Sequence, residues 1–194
     1  PQGVATAAVV LSAINLTGGF IVTKKMLDMF RRPDDPPEYN HYFLLPGAAA
    51  LGGAAALLLT GNAPVALIPT LGLGSALGCI AGISCLSTQQ TARLGIPAGL
   101  TGVGLGVAAT LGVMSMGNVP LEVYAQLLGG AGVGSLIGYK LADRINPTSL
   151  PQAVAGFHSL VGVAATMAAV GDFMTHDMAA LDTFHQAFTY LGAW

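Results

Sequence analysis

The residue with the clearest chemical potential is His158, the one titratable side chain in the long uncharged run between Arg144 and Asp172. An imidazole changes its charge near neutral pH, so its chemistry would be the uptake and release of a proton. On a helix it shares a small, weakly polar face that could admit water, formed by Ala155, Ser159, Gly162 and Thr166. A neutral histidine that bonds to another helix or lines a packed seam is the alternative.

A second polar position is Asn15, which with its neighbour Thr17 makes another uncharged run locally polar. Its amide could hydrogen-bond between helices, which we favour, or line the same pathway as Ser159 and Thr166. The sequence contains no Ser, His and Asp arrangement for nucleophilic catalysis and no embedded pair of carboxylates. The other histidines show no metal-ligand spacing, so no metal site is expected; they are His41, His176 and His185.

The composition excludes an ordinary soluble domain. Of the 194 residues, 53% are hydrophobic, only 8% are charged and 27 are glycine, whereas about a quarter of a soluble domain is charged. The solvent of this chain is therefore lipid. Its basic residues form no stripe that could follow a phosphate backbone, so nucleic acid is not an expected partner. The first residue is Pro1 and no signal-peptide pattern follows, so we expect a piece of a longer protein.

The positions of the charges divide the chain into membrane spans, each needing about 20 apolar residues. The fold class is all-α: a polytopic helical membrane bundle with about six complete spans and a truncated seventh that starts near 183. The complete spans are predicted at 3–23, 43–60, 67–86, 95–115, 121–139 and 150–171, with a turn at 61–64.

The distribution of Lys and Arg supports this count. With six crossings, the loops at 24–42, 87–94 and 140–149 share one side, and all seven Lys and Arg lie in or beside them. The loops on the other side contain none. By the positive-inside rule, the basic loops face the cytosol or the mitochondrial matrix.

Glycines recur every fourth residue in three of the spans, which predicts close packing of helices. These ridges are Gly74, Gly78 and Gly82; Gly95 with Gly99 and Gly102 with Gly106; and Gly130, Gly134 and Gly138. A dinucleotide-binding loop is the alternative, but the third glycine falls one residue late and no strand precedes it. We therefore expect the chain itself to bind no cofactor.

The first basic loop separates two parts of what we interpret as one transmembrane domain. Residues 1–32 are predicted as a span followed by an amphipathic helix on the inside, and 33–42 as an acidic, proline-rich linker, since proline ends a helix. Residues 43–194 form the remaining bundle. The linker is interpreted as a join between two modules.

Three motifs resemble those of the proton-translocating NAD(P) transhydrogenases. They are the run from Asn15 to Asn40, which includes Arg-Pro-Asp-Asp-Pro-Pro-Glu-Tyr; Leu-Ser-Thr-Gln-Gln-Thr-Ala-Arg-Leu-Gly at 86–95; and Leu-Pro-Gln-Ala-Val-Ala-Gly-Phe-His-Ser-Leu-Val-Gly at 150–162. The resemblance runs through nearly the whole chain.

The resemblance implies an enzyme that couples inward proton flow to hydride transfer from NADH to NADP+. The NAD(H)- and NADP(H)-binding domains that perform the transfer, and the later spans, are missing from this chain, which would carry the proton pathway and not the hydride-transfer site. The family's proton-channel histidine stands where His158 matches its motif. The resemblance also implies a homodimer, and the fused linker favours the mitochondrial inner membrane over a bacterial plasma membrane.

Two alternatives come from other classes. A small secondary transporter could use His158 for proton symport, and would require helices broken at the midplane. A structural membrane subunit would instead surround His158 with dry, packed side chains.

Overall fold

The computed structural model of the chain describes residues 2–31, 34, 39, 42, 44–60, 66–117, 119–175, 183, 186, 187 and 191, and this part consists of helices joined by turns, with no strand. Within the described residues, six α-helices follow one another: α1 Gln2–Asp28, α2 Leu44–Leu59, α3 Leu67–Leu86, α4 Ala92–Met116, α5 Leu121–Asp143 and α6 Leu150–Thr175, with a short 3-10 turn, Pro147–Ser149, before α6. Each of the six complete spans that were predicted overlaps one of these helices.

Some predicted features differ from this structure or lie outside it. The helix predicted to continue to Arg32 ends at Asp28. A proline in a helix clashes with the carbonyl group four residues earlier, which for Pro33 is that of Met29. The turn at 61–64 and most of the linker at 33–42 lie outside the described residues, as does nearly all of the seventh span predicted from 183.

Four of the described helices are long and apolar enough to cross a membrane: α1, α3, α4 and α6. Helix α2 has 16 residues, about 24 Å at 1.5 Å per residue, so it is short for a bilayer. Helix α5 has 23 residues, but its glycines, tyrosines and Gln126 lower its mean hydropathy. The predicted count of six spans therefore stays a prediction.

The chain divides into two units, and the first contains α1, α5 and α6. Helix α5 lies against α1 along its glycine ridge: a side chain on Gly134 would lie 2.7 Å from Cβ of Ala13, and one on Gly138 would lie 3.0 Å from Cα of Ile14. Because the residue numbers rise together, α1 and α5 are parallel. The predicted packing role of Gly130, Gly134 and Gly138 is confirmed.

Helix α6 lies antiparallel to α1 in the same unit. The ring of Phe157 lies against Gly18, while a side chain on Gly171 would lie 3.9 Å from the backbone nitrogen of Ala5. The core of the unit is a cluster of buried residues where the three helices meet: Ile14, Val22, Ala142, Leu150 and Phe157.

The second unit contains α2, α3 and α4. Helices α3 and α4 are antiparallel and approach at backbone distance, since a side chain on Gly78 would lie 2.8 Å from Cα of Gly102. One on Gly82 would lie 3.0 Å from Cα of Gly99. Both ridges therefore pack as predicted.

Helix α2 is parallel to α4. A side chain on Gly47 would lie 2.6 Å from Cγ2 of Thr101, and one on Gly104 would lie 3.0 Å from Cδ1 of Leu51. Directly before α4, the Thr91 hydroxyl donates a hydrogen bond of 2.9 Å to the carbonyl oxygen of Cys85 and so holds the α3–α4 connection against the end of α3.

Candidate functional site

Helix α6 packs through a seam that repeats every seven residues. Its buried positions are Leu150, Phe157, Ala164 and Gly171. A seven-residue spacing keeps one narrow stripe of a helix facing its neighbour, and here the neighbour is α1. The remaining sides of α6 are free for other roles.

His158 directly follows Phe157 and is turned out of this seam, so its side chain is exposed. Its Nδ1 lies 3.2 Å from the carbonyl oxygen of Val154, one turn earlier in the same helix. A carbonyl oxygen only accepts hydrogen bonds, so this contact is a hydrogen bond in the tautomer that carries the proton on Nδ1. That tautomer leaves Nε2 as the ring nitrogen that can accept a hydrogen bond.

The hydroxyls of Ser159 and Thr166 are exposed with His158. Ser159 donates to the carbonyl oxygen of Ala155 at 3.0 Å, and Thr166 donates to that of Gly162 at 2.9 Å. Each hydroxyl proton is therefore used within the helix, but each oxygen can still accept a hydrogen bond from water. A side chain on Gly162 would have nothing within 4 Å, so this face is open.

Asn15 lies on α1 and is half-buried. It comes three residues, less than one turn, before Gly18, which contacts Phe157. Asn15 is therefore at nearly the same height along the bundle as His158, whereas Thr166 is eight residues, about 12 Å, further along α6. The structure places three of the four predicted residues on one exposed stretch of α6 and the fourth on the helix beside it.

A groove of about 800 Å³ runs along the first unit, but it does not open onto His158. Its lining comes from α1, α5 and α6 and is Gln2, Gly3, Thr6, Ala7, Val10, Leu11, Gln126 and Met167. Met167 lies nine residues after His158, which is about two and a half helical turns, so the two side chains point to opposite sides of α6. The groove and the histidine face are separate features.

Lys25 is a structural residue that sequence reasoning missed. Its Nζ donates to the carbonyl oxygens of Ala142 at 2.9 Å and Asp143 at 2.7 Å, at the end of α5. The sequence placed Lys25 only among the basic residues of an inside loop. The signal that could have found it is the parallel pairing of α1 with α5, which brings the ends of both helices together.

Among the described residues, no group of three or more His, Cys, Asp or Glu could hold a metal ion. His41, His176 and His185 are outside the described part of the chain. His158 is the one histidine that the structure describes.

Two segments of the chain match families that are named for the same enzyme, a transhydrogenase. Residues 68–194 match the family described as NAD(P) transhydrogenase beta subunit, and residues 1–32 match the 4TM region of pyridine nucleotide transhydrogenase, mitochondrial. These two segments carry α1 and, with its partners α5 and α6, the whole of the first unit.

The chain is also similar to the NAD(P) transhydrogenase subunit beta of Rhodospirillum rubrum, with 37% identity over 86 residues, which are 44% of this chain and 18% of the relative. The same protein from a designated strain of that species matches with the same figures. The chain thus spans well under two thirds of the length of these relatives. Because the first match covers more than half of the chain, the chain belongs to the NAD(P) transhydrogenase beta subunit family.

Proposed function

We propose that this chain is the proton-translocating membrane portion of an NAD(P) transhydrogenase, with His158 as the group that carries the proton. Inward proton flow through it is coupled to hydride transfer from NADH to NADP+ in NAD(H)- and NADP(H)-binding domains of the same enzyme. The chain itself binds neither nucleotide. Family membership supports the enzyme, and the position of His158 supports its role.

The observation that carries this proposal is the exposure of one imidazole on a helix long enough to span a membrane. An ionisable group at membrane depth indicates function because lipid disfavours its charged form. His158 is eight residues from the start of α6, about 12 Å along the helix. The described helices of its own unit leave the imidazole uncovered, since their packing uses the Phe157 seam.

The parallel packing of α1 and α5 supports six crossings. Two parallel spanning helices must be separated by an odd number of crossings, because the chain has to return to the side from which it started. With α5 also counted as a span, α3 and α4 supply two of these crossings, and we assign the third to α2. Its parallel contact with α4 at Gly47 and Thr101 agrees with this assignment.

With six crossings, the ends of α1 and α5 and the start of α6 lie on the side of the basic loops, which we assign to the matrix or cytosol. The presence of the mitochondrial 4TM match and the beta subunit match in a single chain supports the mitochondrial inner membrane over a bacterial plasma membrane. A homodimer is part of the same proposal, as the family resemblance implies.

A proton-coupled secondary transporter is less well supported. Such proteins form their sites from helices interrupted near the midplane, whereas α6 is continuous from Leu150 to Thr175 around His158. The family match adds to this preference.

The proposal is tested by the variant His158→Ala in the complete enzyme, reconstituted in vesicles that contain a pH-sensitive dye. Proton uptake linked to hydride transfer should fall by about 100-fold or more, as for loss of a group that transfers protons. Val163→Ala is the matched control, because Val163 is also exposed on α6 but is not part of the polar face. Unchanged proton-linked turnover in His158→Ala would refute the role of His158.

A further inference from the structure

Lys25 makes an unusual connection for a charged residue in this protein. Most of the described side-chain hydrogen bonds return to the same helix within three or four residues, as for Ser159 and Thr166. The Lys25 ammonium instead bonds to two carbonyl oxygens of residues 117 and 118 positions away. It therefore joins two helices that are distant in the chain.

We call the two hydrogen bonds from Lys25 to Ala142 and Asp143 the clamp, and the chemistry of a helix end favours them. The last carbonyl groups of a helix have no partner in their own helix, and the carboxyl end of the helix dipole attracts a cation. The ammonium of Lys25 supplies both hydrogen bonds and positive charge at the end of α5. Lys24, the preceding residue, is exposed and does not make this contact.

The clamp lies at the end of α5, just before the segment of chain that leads into α6 and to His158. Ala142 is fully buried beside Val22, which is 2% exposed, and Leu150, which is 5% exposed. After Ala142 the chain passes through the short turn at Pro147–Ser149 and enters α6 at Leu150. Fixing the end of α5 against α1 thus fixes the start of α6.

The position of the start of α6 also determines the position of the imidazole. Phe157 lies seven residues after Leu150 on the same seam and contacts Gly18 of α1. His158 is the next residue, so a rotation of α6 by one residue would bring the histidine to the position of Phe157 in the seam. The height and rotation of α6 relative to α1 therefore decide whether Nε2 is accessible.

We propose that Lys25 is a positioning residue for His158: by holding the ends of α1 and α5 together, it fixes the register of α6 against α1. This inference rests on the proposed role of His158 in proton transfer. Lys25 does not itself bind or transfer the proton. It acts through the end of α5 and the beginning of α6.

The test compares Lys25→Met, Lys25→Arg and Lys24→Met in the complete enzyme in vesicles, each at equal amounts of folded protein. Lys25→Met removes the charge and the donor but keeps an apolar stem, and should lower proton-linked turnover by roughly tenfold to a hundredfold, as misplacement of a reacting group does. It should also move the pH profile of that turnover. Lys25→Arg should restore most of both, and Lys24→Met should match the wild type.

Several outcomes of this test would overturn the positioning role of Lys25. A wild-type rate and pH profile in Lys25→Met, or an equal loss in Lys24→Met, overturns the proposal. A lowered thermal stability with an unchanged pH profile also overturns it, since the clamp would then serve stability alone. If Lys25→Met does not accumulate as folded protein, Lys25→Gln replaces it, because the amide keeps a donor without the charge.

His158→Ala measured in parallel separates this inference from the function on which it rests. Full proton coupling in His158→Ala would refute the role of His158 itself. Loss of coupling in His158→Ala together with normal behaviour of Lys25→Met would refute only the positioning role of Lys25.

Discussion

The aromatic ring of Phe157 on α6 lies directly against Gly18 on α1, where residue 18 has no room for a side chain: a Cβ there would lie 3.2 Å from Cδ1 of the ring and closer still to two other ring atoms. Phe157 is 7% exposed and belongs to the core cluster of its unit. This contact determines how closely α6 approaches α1, and the residue that makes it is directly next to His158.

We expect Gly18→Leu to destabilise the first unit and to disturb the histidine face. Overpacking of a filled contact costs about 1–3 kcal/mol, and here the ring of Phe157 would have to leave the seam. Gly19→Leu is the control, because a side chain at Gly19 meets nothing within 4 Å. Thermal inactivation and proton-linked turnover of the complete enzyme measure both effects. Equal behaviour of the two variants would contradict the packing described for α1 and α6.

The contact of α5 with α1 gives a second prediction. Gly138→Leu should destabilise the enzyme by about 1–3 kcal/mol, because the new side chain would meet the backbone of α1, which cannot move aside as a side chain can. Gly132→Leu should have almost no effect, since that position is open. Thermal unfolding in detergent compares the two. Similar melting temperatures would mean that α5 does not use this ridge.

A third prediction concerns the second unit. Gly78→Leu should separate α3 from α4, as Gly78 faces Cα of Gly102, and van der Waals packing at close approach helps to hold helices together in lipid. Gly72→Leu on the same helix has open space and serves as its control. Disulfide cross-linking between cysteines introduced at Ser75 and Gly106, after removal of Cys79 and Cys85, reports the separation. It should persist in Gly72→Leu and be lost in Gly78→Leu.

The six-crossing topology predicts the side on which single cysteines react. In a background without Cys79 and Cys85, cysteines at Lys24 and Asp143 should react with a membrane-impermeant thiol reagent from the same side. A cysteine at Glu122 should react from the other side. If α2 does not cross the membrane, the parallel arrangement of α1 and α5 cannot be kept, and the pattern at Lys24 and Asp143 would differ.

Much of this fold is readable from the sequence because charged residues and prolines mark the ends of the apolar runs. The predicted span 67–86 coincides with α3, and 150–171 begins with α6. Pro69 and Pro151 lie in the first turn of these helices, where proline is tolerated. The glycine spacing likewise revealed which faces pack, since residues four apart lie on one face of a helix and small residues let two backbones approach.

The partner of each face could not be read in the same way. Three glycine ridges allow several pairings, and only the folded chain shows that Gly138 meets α1 while Gly78 meets α4. The clamp by Lys25 depends on that pairing, so it was equally hidden. His158 was identifiable because a single ionisable group in an apolar run is conspicuous, but its exposure beside a packed Phe157 required the structure.

The pairing of α1 with helices that come much later in the chain has a consequence for how the protein is made. The 90 residues of 30–119 belong to the other unit, and at about 5–20 residues per second a ribosome needs about 5–20 s to produce them. Helix α1 is therefore made well before α5 and α6, the helices against which it packs, so the first unit can assemble only late in synthesis.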